Sequence, residues 1–436
     1  MTIKAILIGA GVRGANVYAP YARNHPDQLQ FVAVAEPDRI RRSSFAMQHH
    51  IPEDQTYEDW RDVLQKPRFA DAVWICTQDR MHYDVAMLAL RQGYHVLLEK
   101  PISPSPLECL ELEETARKSN RLLTICHVLR YTPFWSGIHR IIERGDIGRV
   151  VDIQLRENIG YAHMAHSYVR GNWNNTASAS PMILAKSCHD LDLISWLMGQ
   201  DCVRLTSFGS LFHFTKDQAP EGATERCSDG CPHVKECCYV DLRYYMGEGR
   251  RRAKHFSDDL SDEMIRRQLP HTPYGRCVYH CDNDVVDHQN VNMQFGDGAT
   301  ASFSLSAFTH DSSRTVQISG TRGEIRGNMA QQSFTVYSFV DGGRTEIQVE
   351  DKGREGTDMM LNEFCEQVSC FTGSSLTSAS ASIQSHMMAF AAEESRLNDG
   401  QCIELGKLIA DYREEAGNKS ILRNSDEKGV NSYCTV

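Results

Sequence analysis

No apolar run in this 436-residue chain approaches the roughly 20 residues that a membrane-spanning helix needs, so a protein that crosses the bilayer is not expected. A basic excess is missing as well. Acidic residues number 57 and basic ones 46, a formal net charge of −11, which argues against nucleic acid or an anionic membrane surface as the principal partner. The opening MTIKAILIGAG has no basic leader, separate apolar segment or small-residue cleavage site, so the cytoplasm is the expected compartment. No internal repeat is visible. Cysteine is not scarce at 15 residues, but the number is odd and many sit in apolar segments (Cys76, Cys126, Cys188), which reads as buried thiols and excludes a secreted disulfide framework. What remains is ordinary globular composition, 41% hydrophobic and 24% charged, in a chain long enough for two large domains.

Up to residue 128, short apolar runs (Ile3 to Ile8, Phe31 to Ala35, Ala72 to Cys76, His95 to Leu98, Leu122 to Val128) alternate with segments of helical length such as Met81 to Gln92. Unbroken apolar runs suit strands buried on both faces, and the rhythm predicts a parallel, doubly wound α/β domain over 1–128. Beyond it the pattern changes. A helix at Pro133 to Arg144 leads into alternating segments, among them Val150 to Ile159, Val285 to Phe295, Thr300 to Phe308, Thr315 to Ile318 and Ser333 to Phe339. Alternation with glycine turns predicts a mainly antiparallel, open-faced sheet, so 129–418 reads as an α+β domain for substrate and oligomerisation. The polar, Cys- and Arg-rich stretch 213–283 reads as an insertion over one sheet edge. Helices return at Met359 to Phe371 and Ile383 to Leu397, and 419–436 reads as a flexible tail.

Gly9-Ala10-Gly11-Val12-Arg13-Gly14 follows the first strand and opens a helix. In such a fingerprint the first glycine permits a tight turn, the second lets backbone approach a pyrophosphate and the third lets helix and strand pack. Glu36 closes the second run about 20 residues further on, where an acid binds ribose hydroxyls. An acid there repels a 2′-phosphate and favours NAD over NADP, although Arg39, Arg41 and Arg42 lie close enough to offer the alternative. The fifth run ends in Glu99-Lys100-Pro101, which puts a lysine at the carboxyl edge of the sheet, where ligands gather. Alone it reads as a surface lysine that caps the strand.

The glycine fingerprint, Glu36, Thr77 with His82, Glu99-Lys100-Pro101, His189-Asp190-Leu191-Asp192 and Glu393-Glu394-Ser395, in that order, resemble the Gfo/Idh/MocA oxidoreductases over nearly the whole chain outside the insertion and tail. The resemblance implies a Rossmann domain followed by an open-faced antiparallel sheet, and dehydrogenation of sugars or inositols with a nicotinamide cofactor. It implies catalytic Lys100 and His189, the latter as acid/base for the hydroxyl proton. Cofactor contacts are expected at Gly9, Gly11, Val12, Arg13, Gly14, Glu36, Thr77, His82, Glu99, Lys100 and Pro101. One departure matters. The family often carries an aspartate four residues before the histidine, and here that position is Ala185, followed by Lys186. Asp192 or Asp190 would then have to orient the imidazole, or Lys186 has changed the substrate contacts.

Arg130 and Tyr131, with Tyr168, Arg170 and Trp173, supply the planar donors and aromatic faces that carbohydrate pockets use, and with Lys186 and Asp192 they form the expected substrate set. Cys227, Cys231, Cys237 and Cys281 could hold a structural zinc, the spacing of the first two lying in the range of paired zinc ligands; packed, reduced thiols are the other reading. Two further functions fit the resemblance: a glycoside hydrolase that transiently oxidises its sugar with retained NAD, and a non-catalytic sugar or NAD sensor, which the presence of both Lys100 and His189 argues against. A second copy is expected over the open sheet face, giving a homodimer or homotetramer.

Overall fold

The unbroken apolar runs form a parallel sheet, as the pattern predicts. In a computed structural model, which describes residues 1–370 and 375–416, six strands, β1 (Ile3–Ile8), β2 (Leu29–Ala35), β3 (Thr56–Tyr57), β4 (Ala72–Ile75), β5 (His95–Leu98) and β6 (Leu123–Ile125), stand in the order β3-β2-β1-β4-β5-β6. All neighbours run parallel. The order reverses between β1 and β4, and the crevice at their carboxyl ends is where such sheets take ligands. β4 and β5 are buried at every residue, which explains why they read as continuous apolar runs.

The two faces of this sheet are completed from far along the chain. Met360, Leu361, Phe364 and Cys365 of the helix Glu355–Ser369 pack with Leu7, Phe31 and Trp74 on one side. Ala379 and Met387 of the helix Ala379–Leu397 join Val96, Leu98 and Leu112 on the other.

The second sheet has nine strands: β7 (Val150–Asn158), β8 (Cys202–Ser210), β9 (His288–Phe295), β10 (Thr300–Ser306), β11 (Ser313–Gly320), β12 (Gly323–Asn328), β13 (Ser333–Ser338), β14 (Arg344–Gln348) and β15 (Ile403–Glu404), in the order β14-β13-β12-β11-β7-β10-β9-β8-β15. β7 and β10 are parallel and every other pair is antiparallel. Ile153, Leu155, Phe303, Leu305 and Ile318 point to one side and pack on Leu191, Ile194 and Leu197 of the helix Cys188–Met198. The other side carries Gln154, Arg156, Asn290, Asn292, Ser302 and Ser304. This open face is polar.

The stretch 213–283 is built of short helices, including Asp241–Met246 and Asp262–Gln268. It has an apolar centre of its own: Tyr245, Ala253, Ile265, Leu269 and Tyr274, with Tyr245 and Phe256 ring centroids 5.1 Å apart. Aromatic packing thus gives this polar stretch an ordered centre. Phe371 and the expected tail 419–436 lie outside the described residues. Among the described residues no helix is long and apolar enough to cross a membrane.

Candidate active site

A cleft of about 1090 Å³ opens at the carboxyl ends of β1, β4 and β5, lined by the glycine loop and by Lys100, Lys186 and His189. The glycines of the fingerprint divide the work the sequence suggests. Gly9 has φ +92°, which favours glycine, and a Cβ on Gly14 would lie 2.2 Å from the Gly9 carbonyl oxygen, so loop and helix could not approach. A Cβ on Gly11 meets nothing within 4 Å and would project into free space. Beside the loop, Thr77 Oγ1 is buried and has no hydrogen-bond partner among the described residues. An open glycine surface next to an orphaned hydroxyl fits a pyrophosphate and nicotinamide group.

Gly11, Val12, Arg13, Thr77, Glu99 and Lys100 line the cleft. Glu36 is buried and turned back, accepting from the backbone N–H of Ala10 at 2.7 Å and of Asp38 at 3.1 Å, so it braces the glycine turn. His82 also braces: its Nδ1 lies 2.7 Å from the Pro101 carbonyl oxygen and its Nε2 3.2 Å from that of Thr77. The Lys100–Pro101 peptide is cis.

Glu99 joins the phosphate loop to the lysine. Arg13 Nε donates to its Oε1 at 2.5 Å, Tyr18 donates to the same oxygen, and the Lys100 backbone N–H donates to Oε2 at 3.0 Å. Burial alone would raise the Glu99 carboxyl; Arg13 and Lys100 outweigh it and hold it below the ordinary carboxylate value. His189 lies in the first turn of its helix. Burial, then Lys100 and His127, push its imidazole well below the ordinary histidine value, so it is neutral at physiological pH.

Lys186 Nζ pairs with buried Glu157 at 2.7 Å, Arg314 bridges Glu157 and Asp190 at 2.8 and 2.6 Å, and burial raises Asp190 to about 6. Tyr168 and Trp173 line the cleft with ring centroids 6.4 Å apart, and Trp173 Nε1 donates to Asp79 at 3.4 Å.

Four expected substrate contacts have other work. Arg130 and Asp192 are buried and form a two-pronged pair at 2.7 and 2.6 Å, which leaves neither free for a sugar. Tyr131 donates to Glu363 and so anchors the helix Glu355–Ser369. Arg170, also buried, donates to the carbonyl oxygens of Arg276 and Tyr239, both at 2.7 Å, and thereby fastens the insertion. Each is a buried polar group satisfied within the protein.

Sequence reasoning missed part of the cleft. Ile40 of the helix Arg39–Gln48 faces it beside Arg41, which the sequence had offered as a 2′-phosphate contact, as do Lys254, His255, Phe256 and the segment His271 to Tyr274 from the insertion. The insertion therefore reaches the cofactor cleft, which its lack of periodicity did not signal. Its cysteines are free thiols, and burial raises Cys227 and Cys281 to about 11 each. Among the described residues no group of three or more His, Cys, Asp or Glu is placed to hold a metal ion, the set Cys227, Cys231, Cys237 and Cys281 included.

Residues 3–127 match the model of the Gfo/Idh/MocA oxidoreductase family's NAD-binding Rossmann fold, and residues 139–388 match that of its C-terminal alpha/beta domain. The chain belongs to this oxidoreductase family. It is 25% identical over 350 residues (76% of this chain, 79% of the other) to YteT of Bacillus subtilis, named as an oxidoreductase with no substrate stated. It is 28% identical over 209 residues (48% of this chain, 57% of the other) to inositol 2-dehydrogenase 2 of Saccharopolyspora erythraea, so it spans little more than half of that relative. A levoglucosan dehydrogenase solved with NADH and levoglucosan has the same fold, with a TM-score of 0.69 at 17% identity, covering 93% of this chain and 99% of that one.

Proposed function

We propose that the protein oxidises a CH–OH group of a sugar or polyol with NAD, and that Lys100 and His189 handle the hydroxyl proton. The observation that carries this reading is that a lysine ammonium and a neutral imidazole line the same cleft as the open glycine loop. The nicotinamide, when bound, supplies the hydride acceptor. Lys100 donates to the substrate oxygen and stabilises its developing negative charge; His189 takes the hydroxyl proton as the C–H hydride leaves, and the alcohol carbon becomes a carbonyl. A neutral imidazole is the form that can accept this proton. Tyr168 and Trp173 offer aromatic faces to sugar C–H surface, with Lys186 at the side. The preference for NAD over NADP rests on Glu36, an acid beside the glycine loop that accepts from the backbone N–H groups of Ala10 and Asp38.

The same reading places the protein in the cytoplasm and pairs the polar open sheet into a homodimer or homotetramer. Incubation of the purified protein with NAD or NADP and a panel of sugars, inositols and glycosides tests it by absorbance at the reduced-nicotinamide band. Reduced NAD accumulating over many turnovers, without bond cleavage, supports a dehydrogenase. Glycoside cleavage with no net reduced cofactor would replace it with a redox hydrolase, and binding without either reaction with a sensor.

A further inference from the structure

His189 has a partner other than the two aspartates considered from sequence. Asp190 is bound by Arg314. Asp192 is bound by Arg130. Instead, His189 Nδ1 lies 3.4 Å from Nδ1 of His127, and the two rings meet edge to face with centroids 5.4 Å apart. His127 follows β6, is fully buried, and has an Nε2 with no hydrogen-bond partner among the described residues. That nitrogen faces Asp192 Oδ1 at 3.8 Å. The three side chains thus run in a line, His189 to His127 to Asp192, with the last fixed by the Arg130 guanidinium.

We propose that His127 is the positioning residue for His189, setting which of its nitrogens carries hydrogen and, with Asp192 behind it, stabilising the protonated ring. The proposal rests on the reading of His189 as proton acceptor. Accepting a hydroxyl proton requires His189 Nε2 to be bare, so its hydrogen must sit on Nδ1. The atom placed to receive that N–H is Nδ1 of His127, whose own hydrogen then lies on Nε2, toward Asp192. In the reverse arrangement His189 Nε2 would carry hydrogen and could not act as a base. Once His189 is protonated, its bond to His127 becomes charge-assisted, and the carboxylate behind offsets the new charge. The logic is that of an orienting group behind a catalytic imidazole, here with a second imidazole between. Lys100, Lys186 and Arg314 surround His189, and Arg130, Lys100, Glu99 and His386 surround His127, leaving both rings neutral at rest.

The test uses the full chain with NAD, labelled with 15N-histidine, and the variants His127→Leu, which has no acceptor, and His127→Asn, whose Oδ1 can replace Nδ1. His189→Gln assigns the His189 signals. The expected result is hydrogen on His189 Nδ1 in the parent and in H127N and its loss from that nitrogen in H127L. kcat should fall about 100-fold or more in H127L and stay within about 10-fold of the parent in H127N, with NAD affinity changed by less than about 3-fold in both. Hydrogen on His189 Nε2 in the parent overturns the proposal, as does an H127L protein with parental tautomer and kcat, or an H127N protein as slow as H127L. If H127L does not fold, the parent and H127N spectra still decide. Undiminished polyol oxidation by H189Q would instead remove the reading of His189 as the base, whatever its tautomer.

Discussion

Lys100 Nζ donates to the carbonyl oxygen of Ala185 at 2.6 Å. The lysine at the end of β5 is thus tied to the second domain just ahead of the helix that carries His189, and one hydrogen bond sets the spacing of the two proposed catalytic groups. An ammonium has three N–H groups, so two remain for a substrate oxygen. Lys100→Met is expected to lower kcat by about 100-fold or more while NAD affinity changes little. Lys100→Arg should not restore it, because a planar fork cannot reproduce the compact ammonium. Steady-state kinetics with NAD titrations on both variants check this.

The low position of the His189 imidazole has a pH consequence. A base must be unprotonated, and a depressed value keeps it so to lower pH. The acid limb of kcat/KM for oxidation should therefore fall below the ordinary histidine value, leaving activity flat through that region. A limb at or above that value would place another group in the role.

Gly11 and Gly14 should fail differently. Gly14→Ala sets a methyl 2.2 Å from the Gly9 carbonyl oxygen, and a destabilisation of about 1–3 kcal/mol is expected with loss of cofactor binding. Gly11→Ala meets no protein atom within 4 Å. It should melt within about 0.5 kcal/mol of the parent and still bind NAD more weakly, because the methyl takes ligand space. Thermal melts with and without NAD separate the two.

The parallel sheet was legible because burial on both faces writes itself as unbroken apolar runs, as in Ala72 to Ile75. β3, with two residues, is too short to carry such a signal. β14 was missed because Arg344 to Glu346 are exposed, leaving little apolar alternation to read. Lys100, His189 and the glycine loop were proposed from sequence because their positions along the chain carry the family resemblance, and the fold gathers them at one cleft. The internal partners of Arg130, Tyr131, Arg170 and Asp192 were not legible, for a physical reason. Residue types that grip a sugar also satisfy buried polar groups, and only the fold shows that Asp192 faces Arg130 and that Arg170 faces two carbonyl oxygens. The His127 contact spans 62 positions and has no periodicity to reveal it.

The insertion should act on cofactor binding. Arg170→Met removes its two bonds to the carbonyl oxygens of Arg276 and Tyr239 and is expected to cost about 2–3 kcal/mol, to expose 213–283 to limited proteolysis, and to raise KM for NAD. Lys254→Ala, in the cleft wall, should raise KM for NAD a few-fold without changing the melting temperature. Proteolysis mapped by mass, together with cofactor titrations, tests both.

The most direct test of hydride transfer between a polyol carbon and NAD follows the hydrogen itself. A polyol from the panel, deuterated at the reacting carbon, is turned over with NAD, and the reduced cofactor is examined by NMR. One deuterium at the nicotinamide C4 per carbonyl formed is the predicted result. Reduced cofactor without label, or a released aglycone with the cofactor still oxidised at the end, would contradict it.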